Sequence, residues 1–226
     1  MNKLKYLRSL ITPLLNEDLE IDTRIKKAKS LMEAAKHFFD NKDIDKRIKS
    51  QVYVTGSLNV LLLGCESWNL TKDNLRKLTV FHHGAIRRIL RIKWSQVREQ
   101  HIKNKEVRGL LCNIPDIDAF IHRRMATYIG KISRSDTNTF PKIFLAAWIN
   151  ESKKTGAPQL TCNNNFANSI NKILPANILI PKQALLRAWV PLANNRSTWL
   201  TFIENYFETC QNTDYEYISS PTNDED

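Results

Sequence analysis

The sequence predicts a mostly α-helical protein: a helical bundle with a short N-terminal strand or hairpin arm and a smaller C-terminal helical part. Three observations predict it. Apolar residues Ile21, Ile25, Ala28, Met32, Ala35 and Phe39 recur at alternating four- and three-residue steps, the spacing of one helical face. Turn and cap residues punctuate the periodic stretches at DNKD (40–43), Gly64, Thr71, Asn104 and Asp116. Loose alternation suited to a strand is confined to KYLRSLITP, which Pro13 closes.

In chain order, residues 1–15 form the arm and 16–134 a basic helical region. Its first helix runs from Leu19 to Phe39, with acidic residues crowding the first turn as the helix dipole prefers. A second runs from Ile44 to Leu63 and ends at Gly64. Thr71 caps a third, 72–92, which turns Leu75, Leu78, Ile86 and Ile89 to one side, with His82 among them. The opposite arc carries Asp73, Lys77, Val80, Gly84, Arg87, Arg88 and Arg91. Asn104 caps a short helix through Leu111, and Asp116 a longer one whose apolar face leaves Arg123, Arg124 and Lys131 largely off it. Residues 135–162 read as a polar linker containing SKKTGAPQ, 163–212 as a C-terminal helical segment with helices near 163–174 and 196–211, and 213–226 as a disordered acidic tail.

Charge is distributed unevenly. The net charge is +11, and residues 1–150 hold 28 Lys and Arg against 15 Asp and Glu, while residues 151–226 hold 6 against 8. Any polyanion site therefore belongs to the first two thirds, where an RNA or DNA phosphate backbone is the expected partner. Four well-separated cysteines without a CxxC motif indicate neither a zinc ribbon nor a disulfide scaffold, so they are read as reduced and intracellular, with nucleus and cytoplasm both open. No apolar run reaches the roughly 18–20 residues of a membrane span, so no membrane partner is expected.

FHHGAIRRILRIKW, residues 81–94, poses the functional question. Adjacent histidines on a helix diverge by about 100° and cannot chelate as an HxxxH pair would. His82 is read as a core or boundary residue, and no metal or cofactor is expected. The acids Asp43, Asp45, Asp116 and Asp118 sit where helix starts and turns normally place them, though metal-dependent chemistry through Asp116 or the KDIDK acids is a distinct alternative. Nucleotide-binding, nucleophile-elbow and HExxH motifs are absent, and the chain is expected not to be an enzyme. Residues 72–134 hold 15 cations against 5 acids, and forked guanidinium groups suit phosphate. The competing reading is a solvated basic face, or a helical module that binds protein. Trp68, Trp94, Trp148, Trp189 and Trp199 are read mainly as core anchors, with base stacking the alternative.

The segments KYLRSLIT, EIDTRIKKA, LLLGCESWNL, LRKLTVFHHGAIRRILRIKW, RRMATYIGKISR, KKTGAPQL and AWVPLANNRSTW occur in that order. Together they resemble the region downstream of the polymerase palm in non-LTR retroelement endonuclease–reverse transcriptases. The resemblance spans nearly the whole chain. It matches Lys5, Tyr6 and Leu7 to the primer-grip hairpin; Glu20, Ile21, Arg24, Ile25 and Ala28 to the first thumb helix; and Gly64, Glu66 and Trp68 to the end of the second. Phe81, Arg87, Arg88, Ile89, Leu90 and Trp94 match the basic helix that follows. It implies a thumb and connection that grip a template–primer duplex, with Lys5 and Tyr6 in the primer grip, while the basic helical faces themselves offer Lys77, Arg87, Arg88, Arg91, Arg123 and Arg124 as phosphate-contact candidates. The paired palm aspartates that would bind two Mg²⁺ ions are not in this sequence, so polymerisation would require a palm-bearing partner chain. Arg8 stands where the family has glycine, Ala157 where it has the arginine of GRP, and Lys131 where it has the histidine of GH, a pattern that fits a decayed or truncated element copy.

Overall fold

The computed structural model describes residues 17–146, 162–175 and 190–212, with the backbone of 4–6 and 9–11. The described chain is mostly helical. At its start, Leu4–Tyr6 and Ser9–Ile11 pair antiparallel, with Lys5 opposite Leu10. Two three-residue strands do not establish the expected arm as an element of the fold. The side chains of Lys5 and Tyr6 lie outside the described residues, as do Arg8, Ala157, most of the expected linker and the 213–226 tail.

The first expected helix is divided. Helix α1 spans Asp18–Ala34, Ala35 departs from helical geometry at ψ 12°, and α2 spans Lys36–Asp40. Neither glycine nor proline marks that break. The second expected helix is also composite. Asp45 Oδ1 accepts the Arg47 N–H at 2.6 Å and starts α3, Lys46–Tyr53. A π-helical turn, Val54–Leu58, follows, then α4, Asn59–Leu61. Gly64 stops the run with φ 84°, a conformation that glycine adopts at little cost. Ser57 on the π turn donates to the buried Ala28 carbonyl at 3.0 Å, tying the irregular turn to α1.

Helix α5, Lys72–Leu90, begins as read: Thr71 Oγ1 accepts the Asn74 N–H at 3.2 Å. It ends two residues before the expected Ile92. Arg91 takes the left-handed conformation, with φ 60°, while Arg91 N–H bonds to Arg88 O and Ile92 N–H to Arg87 O. That hydrogen-bond pair is a Schellman stop, here with arginine where glycine is usual.

Short helices α6, Trp94–Glu99, and α7, Asn104–Leu110, precede the long α8, Ile117–Ser133. Helix α9, Phe140–Ala146, lies in the stretch read as polar linker. Helices α10, Cys162–Ile173, α11, Val190–Asn194, and α12, Arg196–Asn212, complete the described chain.

The chain divides into two compact units, and the boundary falls inside α8 between Phe120 and Ile121. The first combines the chain up to Gly64 with Thr71–Phe120 and the chain from Glu208 onward; the second combines Cys65–Leu70 with Ile121–Phe207. In the first, α1 packs against the π turn, α4 and α5, and α5 packs against α7. Ile21, Ala28, Tyr53, Leu58, Leu78, Ile86, Val107 and Leu111 are buried there. In the second, Ala126, Ile129, Ile132, Phe166, Ile170, Ile173, Trp199 and Ile203 form one apolar cluster.

Candidate nucleic-acid interface

Helix α5 carries most of the chemistry of the first unit, and its two histidines both face inward. His82 is fully buried, with Nδ1 2.9 Å from the Tyr53 hydroxyl and Nε2 3.1 Å from the Pro115 carbonyl. A carbonyl only accepts, so Nε2 carries the proton and Nδ1 receives the Tyr53 O–H, which fixes one neutral tautomer. Burial is the main cause that pushes the His82 pKa down to about 4, outweighing the opposing attraction of Asp116. His83, 5% exposed, lies 3.6 Å from Asp116 Oδ1 and 3.4 Å from Arg108 Nη1. Burial again lowers its pKa. Arg108 donates to Asp116 Oδ2 at 2.8 Å, so this acid is engaged by both neighbours.

An acid-sensitive fold follows. The unfolded chain protonates His82 near its ordinary pKa of about 6.5, whereas the folded chain resists protonation down to about 4. The unfolded state therefore binds more protons between those values. Stability is fully present above about pH 6.5 and falls as pH drops toward 4, by about 3 kcal/mol from His82 alone. Urea unfolding at pH 7, 6, 5 and 4 measures this, and a midpoint that stays flat across the window refutes it.

The expected cationic arc is only partly a surface. Arg87 turns inward and is 7% exposed; its Nη1 donates to Asn104 at 2.9 Å, and its guanidinium lies 4.3 Å from the Trp94 ring centre. Burial lowers its pKa. Asn104, read as a helix cap, supplies that acceptor from the first position of α7. Lys77 pairs with Asp22 at 3.1 Å and Arg88 with Glu33 at 2.6 Å, both across the α1–α5 groove and both partly solvated. The bond from Arg88 holds the Glu33 carboxyl below its usual pKa. That groove has a volume of about 1550 Å³ and an apolar floor that includes Ile25, Phe81 and Ala85, and Val80 in it is 61% exposed.

The exposed cations gather instead at the turn from α5 into α6. Arg91, Lys93 and Arg98 are exposed, and none enters an ion pair among the described residues. Between Arg87 and Lys105 there are seven Lys and Arg and one acid, Glu99. Trp94, read mainly as a core anchor, opens α6 and is 62% exposed. Trp68 and Trp199 are buried.

In the second unit Arg123 donates to both Glu204 oxygens, at 2.7 and 3.0 Å, and lies over the Phe207 ring. Arg124 is half-buried and its charge acts on the buried Cys65 thiol, whose pKa burial raises. A polar chain unseen in the sequence links Lys172 to His122 Nε2 at 2.9 Å and His122 Nδ1 to Ser169 Oγ at 2.8 Å. Lysine only donates, so Nδ1 carries the imidazole proton and donates to Ser169. Ser169 in turn donates to Met125 Sδ at 3.2 Å and is 1% exposed, which closes it to any substrate. No periodicity signals such a network, because its partners lie on different helices. Among the described residues, no group of three potential metal ligands gathers, and no helix is long and apolar enough to cross a membrane.

No family model matches the chain, and no solved structure matches it. It is similar to an uncharacterized transposon-derived protein of Caenorhabditis elegans, 21% identical over 187 residues, which cover 81% of this chain and 63% of that protein. The chain thus spans less than two thirds of that relative's length, and the likeness suggests a transposable-element origin.

Proposed function

We propose that the chain is a non-catalytic, retroelement-derived nucleic-acid-binding protein. It corresponds to the thumb and connection that follow a reverse-transcriptase palm, and it holds RNA or a template–primer duplex by the phosphate backbone. The observation that carries this reading is the turn from α5 into α6, where exposed Arg91, Lys93 and Arg98 stand without an ion pair among the described residues. Phosphate is the natural acceptor for such donors, and their spread favours backbone contact over base readout. Lys77 and Arg88 can join them, because partly solvated ion pairs exchange partners readily. Arg87 positions Trp94 and is no phosphate ligand in this reading. The order of family-like segments and the transposon-derived relative support the retroelement assignment. The primer-grip role of Lys5 and Tyr6 and a palm-bearing partner rest on the resemblance alone.

A salt titration of binding to duplex and single-stranded oligonucleotides tests the proposal. Affinity should fall steeply with salt, and each cation removed should lower the slope by about one. Arg91→Gly separates binding from folding. Glycine relieves the left-handed backbone cost, so this variant should be more stable by roughly 0.5–1 kcal/mol. It should also bind less tightly and with a shallower salt slope. Undetectable or salt-independent binding sinks the proposal.

A second reading has its own observation, the apolar floor of the α1–α5 groove with Val80 exposed. It makes the protein an interaction module for an amphipathic helix. Retention of such a peptide, weakened by Val80→Lys, in a chain indifferent to oligonucleotides at low salt would favour it.

A further inference from the structure

From the geometry of the α5–α6 turn we infer that Trp94 is a stacking platform for an unpaired base of single-stranded nucleic acid. The inference rests on the nucleic-acid reading above and deepens it from a charged face to a site with a defined chemical preference. An indole this exposed at a helix start is unlike the two other described tryptophans, which are buried. Its ring is not loose. The Arg87 guanidinium covers one face at 4.3 Å, and Arg87 is itself buried and held by Asn104 at 2.9 Å. A cation clamped against one face of an indole fixes the ring by cation–π attraction. With 62% of Trp94 exposed, the face away from Arg87 is the open one.

Charge selects the occupant. Lys93 adjoins Trp94, and Arg98 follows it by four residues on α6, which places both side chains on one side of that helix. Arg91 extends from the left-handed stop three residues before the tryptophan. The side chains of these three cations are exposed, and Glu99 is the acid nearest them in sequence. An aromatic face among unpaired cations fits a strand that offers a flat base with a phosphate on either side. An intact duplex has its bases stacked on one another and presents no free base face. The site therefore prefers single strands, loops or frayed ends, while the surrounding cations serve duplex and single strand alike.

The test uses the full chain, a single-stranded oligonucleotide of about ten nucleotides, the same strand with abasic residues, and a duplex of equal length. Trp94→Ala should weaken single-strand binding about 5- to 150-fold, and change duplex binding less than about 2-fold. Trp94→Phe should retain most of the affinity, because the stacking face survives. The abasic strand should bind the parent protein as weakly as the normal strand binds Trp94→Ala. Single strands should quench tryptophan fluorescence in the parent and less in Trp94→Phe. Equal affinity of parent and Trp94→Ala for the normal strand, or equal affinity of the parent for normal and abasic strands, overturns the stacking site and leaves the basic face standing. Loss of all oligonucleotide binding overturns both. Self-association abolished by Trp94→Ala, with oligonucleotide affinity unchanged, assigns the ring to a protein contact and also overturns the stacking site.

Discussion

Replacing Arg24 with alanine should destabilise the first unit by about 3–5 kcal/mol, moving its urea midpoint by about 1–3 M. The Arg24 Nε donates to Glu20 Oε1 at 2.6 Å, one helical turn away on α1, and the two side chains are only 3% and 5% exposed. Removing the guanidinium takes its 2.6 Å donor from a buried carboxylate. The cost comes chiefly from that buried charge rather than from the attraction lost. Replacing the pair together, Glu20→Leu with Arg24→Met, should leave stability near the parent value or raise it, because the desolvation of both ions disappears. The two outcomes separate a pair that stabilises from a pair that only must not be broken. If Arg24→Ala unfolds within about 1 kcal/mol of the parent, the pair is effectively solvated and the argument fails.

Gly130 is the sensitive position of the second unit. Trp199 is fully buried there, and its Nε1 donates to the Ala126 carbonyl at 2.9 Å, so the indole lies against the backbone of α8. A methyl group on Gly130 would stand 2.5 Å from Trp199 Cδ1 and press on Nε1 as well. The ring cannot retreat, since it is packed in the Ala126, Ile129, Phe166 and Ile203 cluster and anchored by its hydrogen bond. Gly130→Ala should therefore cost about 1–3 kcal/mol, even though alanine favours a helix interior by about 1 kcal/mol. Trp199→Ala alone should cost about 3–5 kcal/mol. In that background the penalty of Gly130→Ala should largely vanish: with the indole gone, the gain in helix propensity is set only against the flexible Arg134 side-chain end, 3.2 Å from the added methyl. Thermal or urea unfolding of the four chains completes the cycle. Additive effects of the two substitutions would show that the ring and the glycine do not meet.

Sequence reading succeeded where one local feature decides a local outcome. Thr71 as a cap, Gly64 as a stop and the 3.6-residue spacing of α5 needed no partner to be interpreted. Failures came where a distant segment decides. Ala35 breaks α1 from α2 without a breaker residue, and the π turn at Val54–Leu58 is tied to α1 through Ser57. Helix α9 forms in a stretch whose polar residues suggested a linker. Arg87 shows the same limit at the candidate site. A helical wheel places it on the outward arc, but α7 brings Asn104 over it and covers the guanidinium. Trp94 erred in the opposite direction, since a tryptophan at a helix end usually anchors a core. No pattern within the sequence states that Arg87 lies beneath it; that pairing depends on the left-handed Arg91, which turns the chain back beside α5.

The π turn between α3 and α4 also bears on how this segment tolerates changes in length. Lys49 and Tyr53 mark the buried seam before it, and Leu58, Leu61 and Leu62 mark the seam after it. The wider turn absorbs a surplus residue, so each half of the helix keeps its own phase toward the core. Beside Gly56 the space is empty where a side chain would begin. Loss of one codon at this place would thus return the turn to α-helix without shifting the contacts at either end, which gives the helix a built-in point of slack between two fixed grips.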